Sequence, residues 1–221
     1  MNEFDTYARS YEAIHAENVA GSGESPAYFA GYKQQVLERM LGKDFEGPVL
    51  DFGCGIGMLT ALLARSFRDV DGYDPSTESL RVARTRAPGA RFFERIDAIP
   101  RAHYGAVVLA NVLHHVSPAD RPGLLRTAMA LLAAGGRLIV FEHNRLNPIT
   151  RRVVRACPFD GGASLLYPWE VKRLLRGAGM SEVALDFIVF FPKLLRAARP
   201  LEPLLGWLPL GAQVCAWGTR S

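Results

Sequence analysis

The segment Val49-Leu50-Asp51-Phe52-Gly53-Cys54-Gly55-Ile56-Gly57 joins a short apolar run to three glycines at alternate positions, with a carboxylate just ahead of them. A glycine-rich turn between a strand and a helix lets backbone amides approach a ligand at the carboxyl edge of an open sheet. The spacing is GxGxG. The dinucleotide fingerprint, GxGxxG, carries a pyrophosphate onto a helix N-terminus. Asp51 disfavours a phosphate there and favours a cation. A second acidic residue, Asp74, closes the next apolar run in Asp71-Gly72-Tyr73-Asp74-Pro75-Ser76. In nucleotide-binding folds an acid at that place accepts hydrogen bonds from ribose hydroxyls; the alternative is a cap for a helix starting near Ser76. Together the two acids describe a ligand with a ribose and an ammonium group but no phosphate.

Groups able to move a proton lie further on. His114 and His115 follow one apolar run, His143 ends another, and Asp160 sits in a polar stretch beyond it. His143 is the preferred base, because it ends a strand on the same sheet edge as the glycine loop. His114 and His115 are expected to point to different sides, so that at most one faces the ligand. Cys54, Cys157 and Cys215 are far apart and odd in number. With no CxxC and no Cys/His pair at ligand spacing, reduced cytosolic thiols and no metal are expected.

These residues need a scaffold, and the pattern supplies one. Short apolar runs at 48–52, 69–73, 90–96, 104–110 and 137–142 alternate with helical stretches at 58–66, 77–86, 118–133 and 168–177. That alternation implies a doubly wound, mostly parallel α/β sheet. Ser117 is expected to cap the helix from Pro118, and Gly135-Gly136 to end it. Runs at 182–191 and 211–217 read as an antiparallel pair at the sheet edge, with 192–210 inserted between them. Residues 3–42 read as two helices around Gly21-Ser22-Gly23.

Composition is consistent with one domain. The chain has 221 residues, is 49% hydrophobic and 22% charged, and carries a net charge of +4. That excludes disorder and a disulfide scaffold. No run of basic residues marks a nucleic-acid binder, and the acidic, polar start reads as no signal peptide, hence a cytoplasmic protein. The apolar stretch 187–217 is interrupted by charges and prolines, which excludes a spanning helix.

A ribose, an ammonium group and no phosphate describe S-adenosylmethionine, and the chain resembles the class I S-adenosylmethionine-dependent methyltransferases, in particular those that act on small molecules. The resemblance covers 47–142 through specific motifs and the rest more loosely. It implies a single domain with a Rossmann-like, seven-stranded sheet: a helical lid (1–46), a cofactor-binding core (47–142) and a substrate side (143–221). VLDFGCGIG is similar to the family's first motif, which assigns Asp51, Gly53, Gly55 and Gly57 to the cofactor. Asp74 and Pro75 match the ribose-binding site. Asp97, in Arg95-Ile96-Asp97-Ala98, matches the adenine-flanking segment. Asn111, in Ala110-Asn111-Val112-Leu113-His114-His115, lies where the methionine part rests, and Gly135-Gly136 resembles the turn into strand five. Tyr11 of the lid, and Lys33, are placed to reach the methionine carboxylate. Tyr104-Gly105 departs from the family's Phe-Asp, and the segment after Asp97 is short.

The resemblance implies methyl transfer from S-adenosylmethionine, leaving S-adenosylhomocysteine, to a small-molecule acceptor: a sugar, a lipid-linked intermediate or a specialised metabolite. An oxygen acceptor is slightly favoured, with His143, His115 or His114 as base. A nucleic-acid methyltransferase is the alternative, against which strand four lacks an Asn/Asp-Pro-Pro-aromatic motif; a non-catalytic cofactor-binding subunit is another. The glycine spacing and Asp51 argue against an NAD enzyme. The chain is expected to be a monomer or homodimer. Segment 192–210, with leucines on one side and Lys193, Arg196 and Arg199 on another, reads as a cap, a pocket wall or a surface for shallow membrane docking.

Overall fold

A computed structural model describes residues 11–42 and 44–221, except the side chains of Tyr11 and Phe159. The chain folds as helices α1 (Tyr11–Val19) and α2 (Pro26–Leu41), then β1 (Val49–Phe52), α3 (Met58–Ser66), β2 (Val70–Tyr73), α4 (Thr77–Arg86), β3 (Arg91–Phe93) and β4 (Tyr104–Ala110). There follow α5 (Arg121–Leu131), β5 (Leu132–His143), α6 (Pro148–Ala156), α7 (Pro168–Gly177), β6 (Met180–Ile188) and β7 (Gln213–Arg220). The seven strands form one sheet in the order β3-β2-β1-β4-β5-β7-β6. β1 to β5 are parallel, and β7 runs antiparallel to both β5 and β6. The order reverses beside β1, so the loops after β1 and β4 flank the crevice where such sheets bind ligands.

Helices cover both faces, so the central strands are apolar throughout. Leu50, Val107, Leu109, Leu138 and Val140 pack with Leu125, Val171 and Leu175 on one face. Val49, Val108, Ile139 and Phe141 pack with Val36, Leu37, Leu59 and Leu63 on the other. Tyr104 is wholly buried, and its hydroxyl donates to Asp71 Oδ2 at 2.7 Å. Asp71 also receives Arg91 at 2.6 Å, so the Tyr-Gly departure is absorbed by a polar link under β2.

Several boundaries differ from the sequence expectation. α5 begins at Arg121 because Ser117 closes a turn, donating to Asp120 Oδ2 at 2.7 Å and accepting from the Asp120 amide at 3.3 Å. Gly135 does not end that helix. β5 already starts at Leu132, which pairs with Tyr104, and Gly135 (φ 75°) sits in the irregular stretch before Arg137 pairs with Ala106. β3 stops at Phe93, where the chain turns into a short helix over Ile96–Ala98. Segment 192–210 is mainly a 3-10 run, Lys193–Leu204, kinked at Leu195. It packs on α2: the buried Glu202 carboxylate accepts from Tyr32 at 2.5 Å, while Arg199 lies over the Tyr28 ring and pairs with Glu24 at 2.6 Å. Its other side leaves Leu194, Leu204, Trp207 and Leu210 exposed. No described helix is long and apolar enough to cross a membrane.

The glycine loop fixes how α3 meets α4. Gly57 precedes α3 at φ 74°, and a Cβ there would lie 2.8 Å from the Cβ of Ala83 and 2.9 Å from its Cα. Gly57→Ala is therefore expected to cost about 1–3 kcal/mol for overpacking, plus about 1–2 kcal/mol for the left-handed backbone. Urea unfolding measures this; a variant as stable as the parent would show that α3 and α4 are not held at this spacing.

Candidate active site

A cavity of about 370 Å³ opens at the carboxyl edge of the sheet, within the usual range for small-molecule sites. The glycine loop forms its floor. Gly53 (φ 80°) lies so close to Val112 that a Cβ would come within 2.6 Å of Val112 Cγ2. Gly55 is different, because a Cβ there would meet nothing within 4 Å. Its φ of 52° and the open space before it leave a backbone cradle facing the cavity. Asp74 holds this loop: Oδ2 accepts from the Gly55 amide at 2.8 Å and Oδ1 from the Ser76 amide at 2.9 Å. The hydroxyl of Ser76, not Asp74, caps α4, accepting from the Ser79 amide at 3.1 Å. Pro75 lines the cavity beside Asp74.

Asp51, at the end of β1, is buried and accepts from the Thr60 hydroxyl at 2.7 Å. Burial pushes its pKa up to about 6; Thr60 opposes this, and Asp74 adds to it. A cation entering the cavity would restore its charged form. Asn111 follows β4 at φ 61°, and its Nδ2 lies 3.2 Å from His143 Nε2. Its Oδ1 is buried without a hydrogen-bond partner among the described residues. An unmet acceptor, a buried carboxylate and an open glycine cradle fit an ammonium-bearing ligand. Asp97 does not join them. It is exposed on the turn after β3, paired with Arg95 at 2.5 Å, and lies outside the cavity lining. Tyr11 begins α1, but its side chain lies outside the described residues.

The other wall is a chain of imidazoles and carboxylates. Glu142, near the end of β5, is wholly buried; Oε1 accepts from the Leu113 amide at 2.6 Å and Oε2 meets His114 Nδ1 at 2.6 Å. Asp160 Oδ1 lies 3.6 Å from His114 Nε2 and 3.3 Å from His115 Nε2. The two histidines therefore converge on one carboxylate, with ring centroids 4.1 Å apart, and do not point to different sides. The cause is Arg121, buried at the start of α5. Its guanidinium donates to the carbonyls of Leu113 (2.9 Å), Val116 (3.1 Å) and Ser164 (2.6 Å), clamping the loop after β4 to the loop that carries Asp160. Neither Glu142 nor Arg121 stands in a recognisable motif. The signal that was available is a charged residue within an otherwise apolar strand, which must be paired when buried.

The electrostatics of this wall follow from burial and contact. Burial opposes charge on His114, but Glu142 and Asp160 outweigh it and raise its pKa to about 9. Burial, then the charge of His114, lowers His115 to about 4 and His143 to about 3. Those two rings are therefore neutral near pH 7. From α1 and α2, His15, Phe29 and Lys33 line the same cavity. Lys33 is buried, which lowers its pKa to about 8 against the pull of Glu142 and Asp51.

A family model described as a methyltransferase domain matches residues 27–185. An uncharacterised methyltransferase of Staphylococcus carnosus is 28% identical over 144 residues, covering 64% of this chain and 67% of its own. A ubiquinone biosynthesis O-methyltransferase of Pectobacterium carotovorum is 33% identical over 123 residues, covering 52% of this chain and 49% of its own. The chain thus spans about half to two thirds of the length of these curated relatives. Among solved structures, a possible histamine N-methyltransferase of Thermotoga maritima superposes with a TM-score of 0.72 at 19% identity, over 99% of this chain and 98% of its own. A geranyl diphosphate C-methyltransferase of Streptomyces coelicolor superposes with a TM-score of 0.64 at 18% identity, over 86% and 79%. These two likenesses are of fold. With the family match spanning most of the chain, the cavity can be named: this chain belongs to the methyltransferase-domain family. The matched domain is of the S-adenosylmethionine-dependent methyltransferase type.

Two measurements probe the cavity. Gly55→Ala meets no protein atom, so only the left-handed cost of about 1–2 kcal/mol is expected in urea unfolding. The added methyl projects into the cradle, so calorimetric affinity for S-adenosylhomocysteine should fall at least about tenfold. Unaltered affinity would place the cofactor elsewhere. For Lys33, the folded pKa near 8 lies below the ordinary 10.5. Between those values the unfolded chain holds the extra proton, so this residue makes stability rise with pH. The stability of the cofactor-free protein, taken relative to Lys33→Met, should therefore climb from pH 8 to 10.5. A flat difference would contradict the burial of the ammonium.

Proposed function

We propose that the enzyme transfers a methyl group from S-adenosylmethionine to an oxygen of a small-molecule acceptor. The observation that carries this reading is the placing of the imidazole-carboxylate wall and the glycine cradle in one cavity. Methyl transfer is an in-line displacement, so the protein's work is to position two reactants and exclude water. An oxygen nucleophile adds one requirement, a group that takes its proton.

In this reading Asp51 and the Asn111 carbonyl receive the cofactor's ammonium, Asp74 and Pro75 flank its ribose, and the peptide faces of Gly53, Gly55 and Gly57 lie under it. The bound cofactor supplies the electrophilic methyl. His143, neutral near pH 7 but a weak base while His114 beside it is charged, is the residue assigned to the acceptor's proton. It ends β5 within the cavity, and its ring is oriented by Asn111 at 3.2 Å. His114 and His115, gathered by Asp160, form the surface against which the acceptor oxygen rests. A mostly apolar cavity of this size suits a compact acceptor with one or two oxygens, such as a phenol or enol whose proton leaves readily. The Pectobacterium carotovorum relative is named an O-methyltransferase, which supports the oxygen assignment.

Transfer of label from methyl-labelled cofactor to a panel of phenols, enols, sugars and amines tests the reading directly. An oxygen-linked product is expected, and labelling of amines alone would overturn it. With the acceptor in hand, His143→Ala should lower turnover by about 10²–10⁴-fold while cofactor affinity holds. A loss below about threefold would remove His143 from the proton-transfer role.

A further inference from the structure

The space between His114, His115 and Asp160 has the shape of an ion site. A carboxylate facing an imidazolium closes to about 2.7–2.9 Å when nothing intervenes. Glu142 and His114 do so, at 2.6 Å. Asp160 does not: its Oδ1 stays 3.3 Å from His115 Nε2 and 3.6 Å from His114 Nε2. Ligands about 2.0–2.1 Å from a tetrahedral zinc ion stand about 3.3–3.4 Å from one another, and the two separations straddle that edge. All three donor atoms lie within 4.8 Å of one another.

The surroundings are those of a metal centre. Glu142 Oε2 accepts from His114 Nδ1, which leaves Nε2 as the ring atom facing Asp160 Oδ1 and the one that would ligate an ion once its proton is displaced. A carboxylate behind a ligating imidazole is the usual support for a bound metal ion. Asp160 has a side chain only 5% exposed, and Arg121 holds the two loops together without donating to any of the three ligands. Charge also balances: once the ion displaces the His114 proton, the carboxylates of Glu142 and Asp160 with three neutral imidazoles carry −2, which one divalent ion cancels.

We propose that His114 Nε2, His115 Nε2 and Asp160 Oδ1 form a binding site for a divalent transition ion of the zinc class, open on the cavity side. Two imidazoles and one carboxylate suit such an ion better than magnesium or calcium. The open position faces the methyl-transfer cavity. The site deepens the oxygen-acceptor reading, on which only this last role rests: the ion would hold an acceptor oxygen and make its hydroxyl more acidic. It departs from the sequence expectation of no metal, because the third ligand comes from the distant turn at Pro158–Asp160.

The test needs no acceptor, so it can fail while the methyl-transfer reading stands. Chelator-stripped protein is titrated with Co²⁺, followed by visible absorption, and with Zn²⁺ by calorimetry. One equivalent is expected, with cobalt bands of low coordination number. Asp160→Asn, which keeps the side-chain shape, and His115→Ala, at a partly exposed position, should each weaken binding at least about tenfold. Circular dichroism of both variants separates lost ligation from lost fold. Absence of one-equivalent binding, affinity unchanged in both variants, or a strong thiolate charge-transfer band from the cysteines would overturn the site.

Discussion

Three carboxylates at strand ends, Asp51, Asp74 and Glu142, stand buried at the carboxyl edge of the sheet, and burying a carboxylate obliges the fold to bring donors to it. Asp51 takes the hydroxyl of Thr60 in α3. Asp74 takes the amides of Gly55 and Ser76, tying the loop after β1 to the end of β2. Glu142 takes the Leu113 amide and the ring of His114, tying the loop after β4 to the end of β5. Each acid therefore shapes one wall of the cavity, and the catalytic geometry follows from satisfying them. Breaking such a pair by removing a donor leaves an uncompensated buried charge, which is why these loops have little freedom.

The same requirement separates what was legible in the sequence from what was not. The glycine turn after β1, the acid that follows β2 and the alternation of parallel strands with helices were legible because each depends on neighbours within a few residues: an apolar run, a turn, a helix start. Asp97 was assigned from its motif position, yet it lies on the surface beside Arg95, two residues away. A short ion pair of that kind leaves no trace in a pattern. The length of β5 was hidden because Gly135 reads locally as a helix end, whereas it lies in an irregular stretch of a strand whose pairing reaches back to Leu132.

The convergence on Asp160 was the least legible feature. His114 and His115 are adjacent, and alternation along an extended chain would send them to opposite sides. Instead the chain turns there in a short helix, Leu113–His115, and Arg121 draws a loop more than forty residues later against it. Nothing in the polar stretch after His143 marks Asp160 as the residue that faces these histidines. Its partner could only be found once α6 and the turn at Pro158–Asp160 were folded over the cavity.

The proposed methyl transfer depends on the cavity binding S-adenosylmethionine through the loop that Asp74 organises. Calorimetric titration with S-adenosylhomocysteine and with NAD, on the parent and on Asp74→Ala, tests this most directly. Binding of the sulfur cofactor product alone is expected, weakened by about 1–3 kcal/mol in the variant, the scale of hydrogen bonds to a charged group. No heat with S-adenosylhomocysteine, or equal affinity in parent and variant, would contradict it.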